Sequence, residues 1–304
     1  MNSETREFNP TPGLAETVAP GLRRILAPNP SPMTFRGTNT YLLGDTHIAV
    51  IDPGPQDTDH LAAILAALTP GQTISHIIVT HAHLDHSPLA APLAQQTGAP
   101  IYAFGPATAG RSPIMTRLAE QGLAGGGEGI DHAFTATHYL HHGEEITSPD
   151  WILQALHTPG HIGNHLCFAW GDTCFTGDHV MGWASSLVSP PDGDLTDFMA
   201  SCDLLAKRQW SCFYPGHGAP VTQANARLDW LIAHRKQREH EILDTLRIQP
   251  GTAYAIACQI YTDVPTALMG AATRNVFAHL VDLTGRGIVS PSQALESEAI
   301  FHIR

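Results

Sequence analysis

No run of apolar residues in this 304-residue chain approaches the roughly 20 needed to span a bilayer, so no membrane partner is expected. The first residues, Met1 to Asn9, are polar and mixed in charge and lack the apolar stretch of a secretory leader, and the expectation is a cytoplasmic protein. Cysteine is scarce: five residues (Cys167, Cys174, Cys202, Cys212, Cys258), an odd number without C-x-x-C spacing, read as reduced thiols rather than a disulfide framework. No Gly-x-Ser-x-Gly elbow is present, so the usual serine-hydrolase signature is missing. Basic residues are few, 16 Lys and Arg against 28 Asp and Glu. The deficit lies in residues 1–219, with 8 basic against 20 acidic, whereas residues 220–304 balance at 8 against 8. Such acidity argues against broad, non-specific binding to phosphate backbones.

What the chain does have is histidine, 19 in all, and a cluster of it at Thr80-His81-Ala82-His83-Leu84-Asp85-His86. The cluster follows an apolar run (Ile74, Ile77, Ile78, Val79) that reads as a buried strand. A strand ending there must turn and point several metal-type donors into one small volume. Imidazoles with a carboxylate suit Zn2+, and H-x-H-x-D-H after a strand predicts metal binding.

Around this point the pattern is one of short strands and helices. One strand is expected near Leu22–Ala27 in a Pro-rich arm, and a hairpin at Thr40–Leu43 and His47–Asp52. Asp52, in Asp52-Pro53-Gly54, is either a turn carboxylate or a hydrogen-bond partner to a metal ligand. Helices are expected over Asp57–Leu68 and from Ser87-Pro88 to Gly98, then a strand over Ala99–Phe104. Residues 105–140 lose regularity around Gly125-Gly126-Gly127 and read as a mobile segment over a site or a long surface loop. Strands return at Trp151–Leu156, Leu166–Ala169, Thr173–Thr176 and Cys212–Tyr214, with a helix over Leu195–Ala206.

Three of these late strands end in a further metal-type residue beside glycine: His161 in Thr158-Pro159-Gly160-His161, Asp178 in Thr176-Gly177-Asp178-His179, and His217 in Pro215-Gly216-His217-Gly218. Each alone is weak. Together with the first loop they make seven candidate ligands from four loops, enough for two first-row ions with room for water or substrate. His165 and His179 are extra histidines near them, either supporting a ligand or serving as a proton donor to the leaving group. Trp183, Tyr214 and Phe198 are candidates for the mouth of a site, with core packing as the alternative.

The order H-x-H-x-D-H, T-P-G-H, T-G-D, P-G-H-G over residues 20–220 resembles the metallo-β-lactamase superfamily of hydrolases. The resemblance implies an α+β fold, an αββα sandwich with the metal site at one edge of two facing sheets. It implies that His81, His83 and His161 hold one zinc, that Asp85, His86 and His217 hold the second, and that Asp178 bridges. True β-lactamases with this loop lack the bridge and are exported, so antibiotic hydrolysis is not expected. The loop departs from the family's usual Gly-Gly with Ser87-Pro88-Leu89, which bears on the substrate mouth.

Beyond Ala224 the pattern is helix, helix, helix, β, β: Ala224–Leu246, Thr252–Tyr261, Thr266–Leu283, Ile288-Val289 and Ala299–Ile303. It resembles the winged-helix module of the beta-lactamase-like protein 2 branch. The expected division is residues 1–222, catalytic, and 223–304, a small winged-helix-like domain. If this module guides RNA, Arg235, Lys236 and Arg238 should form a basic patch; since the module is net neutral and Glu239 and Glu241 flank the three, a packing or dimerisation role is the preferred expectation.

The expected function is a dinuclear zinc hydrolase, with Mn2+ or Fe2+ as alternative metals. A metal-bridging hydroxide, oriented by the catalytic carboxylates Asp85 and Asp178, would attack a thioester, lactone or phosphodiester. Substrates would be small esters or thioesters, or short single-stranded RNA, and a homodimer is an open arrangement. The competing readings are an endoribonuclease and, from another class, a mononuclear iron enzyme like the persulfide dioxygenases.

Overall fold

A computed structural model describes residues 8–304, so most of the stretch from Met1 to Asn9 lies outside the described residues. The layers follow from the two-residue period of the strands. In β4 (His47–Ile51), Ile48 and Val50 enter one apolar cluster and Ala49 and Ile51 another. In β10 (Leu166–Trp170), Cys167 and Ala169 face one way and Leu166 and Phe168 the other. Strands that are apolar on both faces must be covered on both.

One sheet runs in sequential order: β1 (Ala15–Ala19), β2 (Leu22–Leu26), β3 (Asn39–Leu43), β4, β5 (Thr73–Ile78), β6 (Ile101–Ala103) and β7 (His138–Tyr139). The other is ordered β12 (Cys212–Pro215), β11 (Thr173–Gly177), β10, β9 (Ile152–His157) and β8 (Glu145–Thr147). Tyr41, Leu43 and Ile78 from the first meet Leu153, Phe168 and Phe175 from the second to fill the space between them. Helices α1 (Thr58–Ala66) and α2 (Ala90–Thr97) cover the outer face of the first sheet through Leu61, Ile64 and Leu93. Helix α4 (Leu195–Leu205) and the first half of α5 (Ala224–Ile248) cover the second through Phe198, Cys202, Leu228 and Leu231. This is the expected αββα sandwich. The parallel pairs β4–β5–β6 and β11–β12 bring the carboxyl ends of their strands, and the loops that follow them, to one rim.

The C-terminal lobe holds α6 (Ala253–Ile260), a short turn of 3-10 helix (Thr266–Leu268), α7 (Met269–Gly285) and the hairpin β13 (Val289–Pro291) and β14 (Phe301–Ile303). Its core of Ile256, Phe277, Leu280 and Phe301 also takes Ile242 and Leu246 from the second half of α5, so one 25-residue rod serves two cores. Met115 and Leu118 of α3 (Pro113–Glu120) enter the same core.

Three details differ from expectation. The strand near Leu22 is preceded by an unforeseen partner, β1, a half-buried edge strand whose Ala-Glu-Thr-Val-Ala carries little apolar signal. Residues 105–140 are not featureless: α3 starts where Ser112 accepts a hydrogen bond from Met115 N, with Pro113 in the first turn. The helix expected from Ser87 begins at Ala90, because Ser87 N and Ala90 N bond back to His83 O and Ser87 O in a preceding turn. All five cysteines are unpaired, and no helix among the described residues is long and apolar enough to cross a membrane.

Candidate metal centre

The loop after β5 carries His81, His83, Asp85 and His86; the loop after β9 adds His161, the end of β11 Asp178, and the loop after β12 His217. All seven side chains converge at the rim as two groups. His81, His83 and His161 form one; Asp85, His86, Asp178 and His217 form the other, and within each the donor atoms lie within 4.8 Å of one another. His83 Nδ1 stands 3.0 Å from His81 Nε2 and 3.1 Å from His161 Nε2. Such spacings are near the edge of a tetrahedron around an ion with ligand distances of about 2 Å. Asp178 lies between the groups, its Oδ2 3.3 Å from His217 Nε2 and 3.7 Å from His161 Nε2. Glycine is required for this closeness at Gly216, where a Cβ would sit 2.5 Å from Asp178 Oδ1 and 2.7 Å from His86 Cε1.

The ring nitrogens that face away are pinned. His86 Nδ1 donates to Asp52 Oδ2 at 2.9 Å, His161 Nδ1 to Leu187 O at 2.8 Å, and His217 Nδ1 to Gly37 O at 3.1 Å. Thr80 donates its hydroxyl to Asp52 Oδ2 at 2.8 Å, so Thr80 Oγ1 accepts from His81 Nδ1 at 2.9 Å. These bonds leave Nε2 of all four rings free to face an ion. Asp52 is thus more than a turn carboxylate. It also receives Thr80 N at 2.7 Å and holds a left-handed backbone (φ 51°), a conformation Asp tolerates better than most residues.

Charge differs between the groups. Burial, with the neighbouring imidazoles, pushes His83 down to about 3 and His81 well below the ordinary range. Burial opposes protonation of His217 too, yet the Asp178 and Asp85 carboxylates overcome it and raise the ring to about 10. His86 is raised likewise, against burial, by Asp85, Asp178 and Asp52. Burial raises the Asp85 and Asp178 carboxyls, but the adjacent imidazoles win and hold both well below the usual carboxylate range. Asp85 Oδ1 and Asp178 Oδ1 are buried with no hydrogen-bond partner. Buried acceptors without donors are costly unless a cation is near. Nitrogen and oxygen donors in this number fit two divalent first-row ions.

The metallo-beta-lactamase superfamily model matches residues 33–217, and the beta-lactamase associated winged helix domain matches residues 252–294. The chain belongs to the metallo-beta-lactamase superfamily. A beta-lactamase-like protein 2 homolog from Drosophila melanogaster is 29% identical over 291 residues, 90% of this chain and 91% of that protein. An atrochrysone carboxyl ACP thioesterase from Passalora fulva is 28% identical, over 76% of this chain and 63% of that one. In fold, the chain matches a beta-lactamase domain protein from Burkholderia ambifaria with a TM-score of 0.79 at 20% identity, covering 100% of this chain and 99% of that one.

Within this superfamily fold the two donor groups open onto a cavity of about 230 Å3, lined by His83, Asp85, His161, Asp178 and His217 together with apolar side chains of both lobes. Trp183 is at this wall and stacks on Phe35 at 5.1 Å, whereas Phe198 and Tyr214 are core residues. His165 and His179 do not line it. His165 Nε2 instead accepts from Asp178 N at 3.2 Å, and His179 Nε2 lies 3.5 Å from Cys202 Sγ. Burial holds His165 well below its ordinary range and His179 at about 3, so neither carries a proton to give at neutral pH. Ser87, in place of the usual Gly, donates to Asp131 Oδ2 at 2.8 Å and ties the loop to residue 131.

The basic patch does not form. Arg235 is 2% exposed and donates to Ser186 O and Asn275 Oδ1, with its guanidinium over the Phe198 ring. Arg238 pairs with Glu241 at 2.5 Å. Arg235 is instead one of three arginines, missed in the sequence, that hold the 181–190 segment by its carbonyls. Arg227 donates to Met181 O and Ala184 O at 2.7 Å, and Arg274 to Pro190 O at 3.4 Å. That segment carries Leu187 O, the partner of His161. A basic triplet inside a helix gives no sign of which members face a neighbouring loop.

Proposed function

We propose that the chain hydrolyses thioester-type bonds with two zinc ions, His81, His83 and His161 holding one, Asp85, His86 and His217 the other, and Asp178 bridging. The observation that carries the bond class is the cavity wall. Among the described residues no lysine or arginine lines it, and Glu128 and Asp192 do. Arg111, which lies near, is paired with Asp192 at 2.8 Å. A phosphodiester brings negative charge to a wall that holds Glu128, an Asp192 already paired, and no basic side chain to meet it; an acyl group brings none. The similarity to a protein named a thioesterase supports the same reading.

When bound, the two ions supply a water nucleophile at neutral pH and Lewis acidity toward a carbonyl oxygen. Asp85 Oδ1 and Asp178 Oδ1, buried acceptors without partners, would accept hydrogen bonds from that water and orient it, its proton passing to solvent. The water oxygen bonds to the acyl carbon, the carbon–sulfur bond breaks, and the thiolate is protonated to give acid and thiol. A thiol of pKa about 8.5 leaves without a dedicated proton donor. The burial of His165 and His179 away from the cavity fits that chemistry better than it fits expulsion of an alkoxide from RNA. A mononuclear iron centre would leave the Asp85–His86–His217 group without a role. Five unpaired cysteines fit a reducing compartment such as the cytoplasm.

The test is a screen of zinc-loaded protein against thioesters, lactones, phosphodiesters and short RNA, with metal content measured on the same sample. Thioester turnover with close to two metals per chain is expected. RNA cleavage without thioester turnover would overturn the bond class, and one metal under replete conditions would overturn the bridge.

A further inference from the structure

The cavity has two walls of different origin. One comes from the sandwich, with Met33, Met181, Trp183 and Leu187; the other comes from the C-terminal lobe, with Tyr261, Val264, Leu268, Ala271, Ala272 and Asn275. The second set spans the end of α6, the connection after it and the first two turns of α7. The winged-helix lobe therefore reaches the space into which His83, Asp85, His161, Asp178 and His217 face. Its contribution there is apolar at four of six positions, with two small alanines at the start of α7.

We infer that the winged-helix lobe forms the far wall of an acyl subsite, in which the Tyr261–Ala272 connection measures the length of an apolar, uncharged acyl group whose carbonyl sits at the seven-donor cluster. The inference deepens the reading of the chain as a thioester hydrolase and rests on it. Two halves of a thioester compete for this space. The thiol half of a biological thioester carries amides and, in the common carriers, phosphate, which meets the Glu128 carboxylate here and no basic side chain. The acyl half has only carbon to offer beyond its carbonyl, and Val264, Leu268 and Ala271 are suited to it. The thiol half then points out of the cavity, where a large carrier has room. The arginines 227, 235 and 274 give the opposite wall its position, since they fix the 181–190 segment that holds Met181, Trp183 and Leu187. The distance between the walls is thereby set by contacts between the lobes.

The test uses full-length zinc-loaded protein and two substrate series, one varying the acyl chain on a constant small thiol, the other varying the thiol on a constant acetyl group. In the wild type, kcat/KM should rise about fourfold per methylene along the acyl series until the cavity is full. Ala271→Phe should lower the ratio of octanoyl to acetyl turnover at least tenfold, and Leu268→Ala should move the preferred length upward. A ratio that shifts less than threefold in both variants, or selectivity that follows the thiol series instead, would overturn the subsite. If the wild type turns over no thioester, the thioester reading fails, and the subsite is judged alone by calorimetry with 2-alkanones, which resist hydrolysis. Affinity rising with chain length in the wild type and flattened by Ala271→Phe supports it; affinity independent of length overturns it.

Discussion

The two donor groups share one rim and one loop, yet they solve opposite electrostatic problems. In the His81–His83–His161 group burial penalises a charge on His81 and His83 and leaves both disinclined to take a proton. The Asp85–His86–Asp178–His217 group concentrates two carboxylates in a space so closed that the imidazoles beside them hold protons against burial. Protons in the second group occupy the role of a cation; the first group has no such need. The difference teaches that an ion entering the first group needs only to find its lone pairs, whereas one entering the second must displace protons.

The sharpest way to break that contrast is at the carboxylates. Asp178→Asn removes the one side chain that faces both groups. Turnover should fall by at least about a hundredfold, the size of effect seen when a preorganised electrostatic contact is lost, while circular dichroism keeps the folded signature. Asp85→Ala touches the acidic group alone. Its metal content should fall from two per chain to one, with His81, His83 and His161 still loaded. Two tightly held ions in Asp85→Ala would mean the groups are not separable in this way.

A smaller effect is expected one shell out. Asp52 bonds His86 of the acidic group directly and reaches His81 of the other group only through Thr80, whereas Leu187 O bonds His161 of that other group. Asp52→Asn should weaken binding of the second ion by about ten- to a hundredfold, the usual cost of losing such a partner. Arg235→Gln should act on the other group, because the segment bearing Leu187 O is anchored through Ser186 O. It should cost about 1–3 kcal/mol of stability for carbonyls left unpaired, read as a lower midpoint in urea, and loosen the first ion more than the second. Equal loosening of both ions in the two variants would merge the two groups into one.

The ease with which these residues were read in the sequence also divides along physical lines. Strand faces and the seven candidate donors were legible because each rests on local pattern: a period of two in Ile48-Ala49-Val50-Ile51, glycine beside His161, Asp178 and His217, and tight spacing in the first loop; the sandwich came from the resemblance that the four motifs carry in their order. Asp52 was half legible, its place after β4 visible but not its partner 34 residues on. Arg227, Arg235 and Arg274 were illegible in role, since what they bind is main-chain carbonyl, which every residue has. Arg235 was read as surface charge in a basic run, and only the packing of α5 against the 181–190 segment turns it inward. The same reason hid α3: its Met115 and Leu118 have meaning only against the C-terminal core.

The smallest effect should be the most specific, and it concerns pH in the metal-free protein. His217, raised from the ordinary 6.5 to about 10, contributes stability that is fully present below 6.5 and is lost as pH rises through 10. The depressed carboxyls of Asp85 and Asp178 contribute stability present above their ordinary 3.8 and lost as pH falls. His83, lowered to about 3, adds stability above 6.5 that fades as pH drops toward 3. The acid side is crowded, because His60 (about 4), His179 (about 3) and His279 (about 3) lose stability in the same direction. The alkaline side belongs, among the raised histidines, to the acidic group. Chelated protein should therefore lose a few degrees of melting temperature between pH 7.5 and 10, and chelated His217→Gln, whatever its starting midpoint, should lose less over that range. Zinc-loaded protein has no such protons left to lose, so its midpoint should fall less than that of the chelated wild type. A chelated wild type and a His217→Gln variant that decline in parallel would mean that no proton stands in for the second ion, and the contrast between the two groups would rest on the identity of their donors alone.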